Sequence, residues 1–167
     1  MKSSGALAVA VVLSLTGCRR TPAEAPRGPL RSDVSMADAT AGAQLESGFY
    51  GIEDHAWRWT AAHFTFELAA PAGADQGARL ALDVSVPDSA LTDTRSITLA
   101  CRVGSASLAP ETYTHTGQYR YVRPLEPVKE ARVRVRCDVD HVLPRRPVDD
   151  RELAIIVRNL ALEPLPR

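Results

Sequence analysis

The sequence predicts an all-β fold, an antiparallel β-sandwich over residues 48–167. The main observation is an alternation of apolar and polar side chains, which puts one side of each strand in the core and the other in water. This alternation predicts strands at residues 63–68, 80–86, 96–103 and 132–139. Turn-forming residues separate these segments and no long amphipathic helix interrupts them, which favours an antiparallel sandwich over a parallel sheet.

The last strand has an irregular alternation. Its apolar residues keep one phase from Leu153 to Val157 and take the opposite phase from Leu160 to Leu162. A simple one-residue slip would expose half of the strand. One inserted residue near Arg158 returns all of these side chains to the core, so the sequence predicts a β-bulge there.

The N-terminus has the pattern of a secretory signal. A positive start at Met1-Lys2 is followed by an apolar run, Ala6–Leu15, that is too short to span a bilayer. The segment Leu15-Thr16-Gly17-Cys18 resembles the lipobox of bacterial lipoproteins. That resemblance implies that residues 1–17 are removed and that Cys18 becomes a lipidated N-terminus. An ordinary signal peptide with a chance cysteine is the alternative.

Residues 18–47 are predicted to be a flexible tether between the lipidated cysteine and the sandwich. Pro22, Pro26 and Pro29 lie close together there, and few large apolar residues are available to offset the cost of ordering. The fold is therefore expected to begin near Gly48. Multiple acyl chains on Cys18, implied by the resemblance, would hold the protein on a membrane. Arg19 favours the outer membrane, because aspartate commonly follows the cysteine of lipoproteins retained in the inner membrane.

The overall charge argues against nucleic acid as a partner. The chain has 20 basic and 20 acidic residues, and its formal net charge at pH 7 is zero. No bulk electrostatic field therefore draws it to nucleic acid.

Two cysteines remain after Cys18. Cys101 and Cys137 lie on the inward phase of strong strands in a protein expected to be exported. A disulfide between them is predicted, because exported proteins meet an oxidising environment. Two buried free thiols that pack as small apolar residues are the alternative.

The sequence contains no recognisable catalytic or metal-binding constellation. Its four histidines match no zinc-site spacing, and the common nucleophile and phosphate-loop motifs are absent. We therefore predict no enzyme activity, no metal and no cofactor apart from the lipid on Cys18. The acidic pairs Asp138/Asp140 and Asp149/Asp150 are interpreted as solvated loop residues, with a calcium site as the alternative.

The predicted strand at 132–139 carries a row of outward arginines. Arg132, Arg134 and Arg136 share one side, and Arg102 is expected on the same surface. The favoured interpretation is that they pair with neighbouring side chains on an exposed face. Binding of an anionic polysaccharide or of lipid phosphate is the alternative.

A tryptophan-containing segment carries the second resemblance. The order is Gly48-Phe49-Tyr50-Gly51, then Glu53, Arg58-Trp59-Thr60, and much later Asp150-Arg151-Glu152-Leu153-Ala154-Ile155-Ile156-Val157. This order resembles a bacterial galactose-binding-like, jelly-roll module that is often attached to enzymes and membrane proteins of envelope polysaccharide pathways. The resemblance spans roughly residues 48–163 and implies a jelly-roll sandwich. Ala154 departs from its usual glycine, and Asp149 rather than Asp150 holds its spaced aspartate position.

The leading functional hypothesis is non-catalytic binding of an envelope glycan. The candidate ligand-binding residues are Glu53, Trp57, Arg58, Trp59 and Arg151. The glutamate and the arginines would make polar contacts, and an exposed tryptophan would stack on a sugar ring. A structural or adaptor lipoprotein that docks a partner protein of the envelope is the alternative, and it predicts an exposed apolar patch.

Overall fold

The computed structural model describes residues 29–145 and 147–165, which form ten β-strands. The strands are β1 (Asp33–Ser35), β2 (Leu45–Glu53), β3 (Trp57–Ala69), β4 (Ala78–Val86), β5 (Ile97–Val103), β6 (Ala106–Ser107), β7 (Glu111–Tyr113), β8 (Gly117–Leu125), β9 (Arg132–Val139) and β10 (Ile156–Pro164). Three 3₁₀ helices, Ala39–Ala43, Ala74–Gln76 and Asp88–Leu91, lie in the connections. These residues contain no α-helix, so the all-β prediction is confirmed.

The strands form one curled antiparallel sheet that folds into two layers. Layer A has the order β1-β10-β4-β8, and layer B has the order β3-β9-β5-β7. In layer B, β2 extends the free edge of β3, and β6 shares the edge of β5 with β7. The β2–β3 hairpin and the β5-to-β7 step stay within layer B, and the other successive strands lie in different layers.

The long strand β3 joins the two layers. Its first residues pair with β10, where Trp59 lies opposite Ile156, and its later residues, from His63 to Ala69, pair with β9. The sandwich therefore has two ends that β3 defines. We call the end where β3 begins the Trp59 end and the end where it finishes the Ala69 end.

Alternation places the core where the sequence predicts it. Phe64 and Phe66 of β3 are buried, as are Leu80 and Leu82 of β4 and Val135 of β9. All of them belong to one continuous hydrophobic cluster between the layers. Burying each such side chain stabilises the fold by about 1.5–3 kcal/mol.

The predicted bulge is present in β10. Val157 lies opposite Val84 and Asn159 lies opposite Asp83, so Arg158 is an extra residue with no partner. Val157 and Leu160, on either side of this insertion, are both fully buried. The bulge therefore keeps both phases of the strand in the core, as expected.

The predicted disulfide is also present. Cys101 of β5 and Cys137 of β9 are direct cross-strand partners with a Cα–Cα distance of 4.0 Å, and the bond closes a loop with a sequence separation of 36. Both cysteines are buried, so the bond lies on the core side of layer B. In the chain-entropy model a loop of this length contributes about 3–4 kcal/mol.

The fold begins earlier than the sequence predicts, so the tether prediction is wrong for residues 33–47. Val34 of β1 is fully buried, and Met36 and Ala41 after it are buried too. The Gln44 side chain donates to the carbonyl of Glu67 at 2.8 Å and accepts from the amide of Arg31 at 3.0 Å. A few apolar residues are enough to order this segment, because β1 only adds to the edge of a layer that β10 already forms.

The remaining N-terminal predictions lie outside the described residues. These are the signal peptide at 1–17, the lipidated Cys18 and the first part of the tether. Within the described residues, no helix has the length and apolar character needed to cross a membrane.

Candidate functional site

A tight hairpin turn brings two of the candidate residues together at the Trp59 end. Asp54 and His55 both have positive φ angles, 48° and 54°, and the amide of Ala56 donates to the carbonyl of Glu53 at 3.0 Å. Two central residues in this conformation match the twist of the flanking strands β2 and β3. The turn therefore places Glu53 directly opposite Trp57.

The two tryptophans lie on one side of β3, as alternation predicts. Their ring centroids are 6.0 Å apart at an angle of 83°, an edge-to-face contact. Trp59 is buried at 8% exposure, and Trp57 is half-buried and packed against the core. Core packing therefore accounts for most of the surface of these rings, and only part of Trp59 borders the cleft described below.

Arg58 points to the opposite side of β3 and is held by the backbone. Its Nη1 donates to the carbonyl of Tyr50 at 3.0 Å, while its buried Nε has no hydrogen-bond partner. Burial lowers the pKa of Arg58, and the negative charge of Asp38 partly opposes that effect. The carbonyl of Tyr50 therefore holds the guanidinium of Arg58.

Arg151 forms ion pairs with Glu53 and with Asp149, and so joins the segment around Glu53 to the segment before β10. Its Nε and Nη2 donate to the two carboxylate oxygens of Asp149 at 2.8 and 2.7 Å, and its Nη1 donates to Glu53 at 2.7 Å. The guanidinium also lies 5.3 Å from the ring centroid of Tyr50. Hydrogen bonds from Arg151 lower the pKa of Asp149 to about 2. Hydrogen bonds to Asp149 and Glu53 raise the pKa of Arg151.

A cleft of about 270 Å³ lies beside this ion pair at the Trp59 end. Most of its walls are apolar, and Asp149, Arg151 and Ser89 supply the polar groups. Its full lining consists of Trp59, Ser89, Leu143, Pro144, Val148, Asp149, Arg151 and Leu153. The cleft thus combines a tryptophan, an apolar wall and a rigid ion pair, which is the composition of a small-ligand site.

The structure brings together some candidate residues and separates others. Trp59 and Arg151 line the cleft, and Glu53 reaches it only through Arg151. Trp57 and Arg58 do not line it. Sequence reasoning missed Tyr50, whose hydroxyl accepts from the amide of Glu152 at 3.1 Å. Its position in the Gly-Phe-Tyr-Gly segment was the available signal.

Three of the four acidic residues considered for calcium already have partners. Asp138 interacts with His63 at 2.6 Å, and Asp140 accepts from the amide of Thr98 at 2.7 Å. Asp149 binds Arg151, as described above. The described residues contain no group of three or more side chains that could hold a metal ion.

A second, larger concavity of about 660 Å³ lies at the Ala69 end. It is a groove between the β5–β6 turn and the connection from β8 to β9. Its apolar lining includes Val103, Leu108, Leu125, Val128 and Val133. Unlike the cleft, this groove has no aromatic side chain in its lining.

The predicted row of arginines lies on the outer face of layer B. Arg132 donates to Glu67 at 3.3 Å, and Arg134 donates to Glu46 at 2.7 Å. These two arginines follow the favoured interpretation, which was pairing with neighbours. Arg136 and Arg102 differ, because among the described residues neither has an acidic partner and they lie opposite each other on β9 and β5.

No protein-family model matches this chain, and no curated protein matches it.

Proposed function

We propose that this protein is a lipid-anchored component of the bacterial cell envelope that binds an envelope glycan without catalysis. The lipobox-like segment ending at Cys18 supports the anchor. The Cys101–Cys137 disulfide supports export, because such bonds persist in oxidising compartments. The outer membrane remains our choice over the inner membrane because Arg19 follows the cysteine.

The cleft at the Trp59 end is the single observation that carries the glycan proposal. Its volume, about 270 Å³, is near the lower limit for small-ligand sites and suits one sugar ring rather than a long chain. The Trp59 edge and Leu153 offer apolar contact to the carbon–hydrogen face of a sugar, while Asp149 accepts hydrogen bonds from its hydroxyls. Arg151 keeps Asp149 ionised and in place.

Affinity electrophoresis in gels that contain purified envelope polysaccharide tests this proposal. Val148 lines the cleft and is 93% exposed, so Val148→Asp changes the cleft with little risk to the core. We expect the wild-type chain to be retarded and the Val148→Asp chain to run freely. Thr92→Asp, at an exposed position outside the cleft lining, is the control and should be retarded like wild type. Free migration of the wild type on every polysaccharide tested would contradict the proposal.

Metabolic labelling with palmitate tests the anchor separately. The wild-type chain should incorporate label and sediment with outer membranes, whereas a Cys18→Ala chain should do neither. An unlabelled wild-type product in the soluble fraction would contradict the lipid anchor and leave the glycan experiment unaffected.

A structural or adaptor role is the second candidate, and the groove at the Ala69 end favours it. This groove is larger than the cleft and mainly apolar, as a protein-docking surface would be. A photo-crosslinker at Ser105, on its rim, should then give one discrete adduct in cells, and Leu108→Asp should abolish that adduct. A crosslinker at Thr92 is the control outside the groove.

A further inference from the structure

Two arginines face each other across layer B without acidic partners. Arg102 of β5 and Arg136 of β9 are direct cross-strand partners, and both are exposed. Within the described residues, neither makes an ion pair or a side-chain hydrogen bond. Asp138, two residues along β9 on the same side, interacts with His63 instead.

This arrangement costs stability in the isolated protein. Like charges directly opposite each other on a sheet repel, and the cross-strand pair is destabilising. The adjoining pair on the same two strands is the disulfide between Cys101 and Cys137. The covalent bond holds β5 and β9 in register at the position where the two guanidinium groups repel.

The neighbouring positions complete a row of donors across four strands. Thr65 of β3 lies opposite Arg136, and Ser107 of β6 lies opposite Arg102. The row therefore reads hydroxyl, guanidinium, guanidinium, hydroxyl on one exposed face. Guanidinium forks bind phosphate oxygens bidentately, and hydroxyls can donate to the same anion.

The row lies near the point where the described chain begins. The carbonyl of Arg31 accepts from the amide of Ala69 at 3.0 Å, and Ala69 lies opposite Arg132 of β9. Arg136 is four residues further along β9, roughly 13 Å away at the rise of a strand. Residues 19–28 separate Cys18 from this end, and ten residues span at most about 36 Å.

We propose that Arg102 and Arg136 form a contact site for the phosphate groups of an anionic lipid surface. The orientation toward a membrane rests on the proposed lipid anchor, which would bring the Ala69 end within reach of the bilayer. The attraction itself does not require the anchor, because an exposed face with two unpaired arginines is complementary to phosphate headgroups whether or not Cys18 carries a lipid.

Vesicle co-sedimentation with the mature chain, residues 18–167 carrying Cys18→Ser, tests the proposal without any contribution from an acyl chain or from the apolar signal. The probes are vesicles of phosphatidylcholine and phosphatidylglycerol at 3:1, and vesicles of phosphatidylcholine alone. We expect binding to the first and not to the second. Replacing both residues, Arg102→Gln with Arg136→Gln, should weaken binding roughly thirty-fold, because each arginine near an anionic surface contributes roughly five-fold.

A matched control removes the same charge elsewhere. Arg95 and Arg145 are also exposed and have no ion-pair partner in the part of the chain that the structure describes, but they lie beyond the opposite ends of β5 and β9. The double variant Arg95→Gln with Arg145→Gln should keep wild-type affinity in 0.1 M salt, because charges at that distance are screened. Arg102→Lys with Arg136→Lys, which retains the charge, should keep most of the binding and shows that folding is intact.

Equal loss of binding in the two Gln double variants would overturn the proposal, since net charge alone would then explain it. Retained vesicle binding by Arg102→Gln with Arg136→Gln would overturn it as well. If that variant keeps vesicle binding but loses binding to an acidic polysaccharide, the arginines contact the polysaccharide and the lipid proposal is wrong. Failure of palmitate labelling removes the anchor proposal and leaves this result standing, because the Cys18→Ser chain carries no lipid.

Discussion

The outer faces of the two layers differ in how their arginines are paired with carboxylates. On layer A, Arg79 donates to Glu163 at 2.7 Å, and Arg120 pairs with both Glu163 and Asp83. The two arginines of this cluster therefore share two carboxylates on adjoining strands. An arginine cluster of this kind keeps a strand face soluble and leaves little free charge.

Layer B divides its arginines into two groups. Arg132 and Arg134 pair with glutamates, but Arg102 and Arg136 face each other and pair with no carboxylate of residues 29–145 and 147–165. The number of arginines on a strand face therefore says less about its free charge than the number of those arginines that have carboxylate partners. The unpaired arginines also lie beside the disulfide, so layer B depends on a covalent bond where layer A depends on ion pairs.

Removing the disulfide should have the largest effect and tests this difference most directly. We expect the double variant Cys101→Ala with Cys137→Ala to lower the free energy of unfolding by about 3–4 kcal/mol, measured by urea denaturation. The loss should be larger at low salt, because the repulsion between Arg102 and Arg136 is then unscreened. A loss that does not depend on salt would show that the bond and the arginine pair are not coupled.

The second prediction concerns β2, the strand that carries Glu46 to Arg134. Gly48 has a φ of +76°, and a Cβ there would lie 2.1 Å from the carbonyl oxygen of His63. Gly48→Ala should therefore displace β2 and cost about 2–3 kcal/mol, measured by thermal or urea unfolding. Gly51→Ala is the control on the same strand, because a Cβ at Gly51 has open space. Equal stability of the two variants would contradict this account of β2.

The sequence predicts the sheet well because burial imposes a two-residue period. The strands around Phe64, Leu82 and Val135 all follow that period, and the bulge at Arg158 follows from the change of phase in β10. The disulfide was predictable for the same reason, since both cysteines occupy inward positions. In each case a local pattern reports directly on which side of the strand is buried.

The segment before Gly48 was not predictable by this rule. The strand β1 has three residues, too few to display a period, and its burial depends on the edge of β10 beside it. The buried Gln44 was missed for a related reason. A buried glutamine is stable only where backbone groups of Arg31 and Glu67 bind it, and this arrangement has no sequence signature.

The candidate site was predictable as a set of residues and not as a set of contacts. Glu53 and Arg151 do meet, but Asp149 holds two of the three guanidinium nitrogens of Arg151. Arg58, a candidate for ligand contact, instead donates to the carbonyl of Tyr50. The contact between Glu53 and Arg151 joins residues 98 positions apart, so it depends on how the loops close, and the strand pattern does not encode that closure.

The third prediction compares the two outer faces by changing one charge on each. Glu163→Gln leaves Arg79 and Arg120 without their shared carboxylate and should cost about 0.5–1 kcal/mol of unfolding free energy. Arg136→Glu places a carboxylate opposite Arg102 and should instead stabilise by about 0.5 kcal/mol. Urea denaturation in low and high salt measures both, and both effects should shrink in high salt. The same sign for the two variants would contradict the contrast between the layers.

The smallest effect concerns Arg151, which, like Arg79 and Arg120 of layer A, has carboxylate partners. Hydrogen bonds from Arg151 hold the pKa of Asp149 at about 2, below its ordinary value of 3.8. A carboxyl group whose pKa is lower in the folded state stabilises the protein above its unfolded pKa, and this contribution is lost as pH falls toward the folded value. The stability difference between wild type and Asp149→Asn should therefore be constant above about pH 5 and decrease toward pH 2. Thermal unfolding of both proteins across this range measures it, and using the difference cancels Asp38, whose pKa is also lowered to about 2. A difference that stays constant down to pH 2 would mean that the Asp149 carboxylate makes no ionic contribution beyond what an asparagine supplies, which would contradict this prediction.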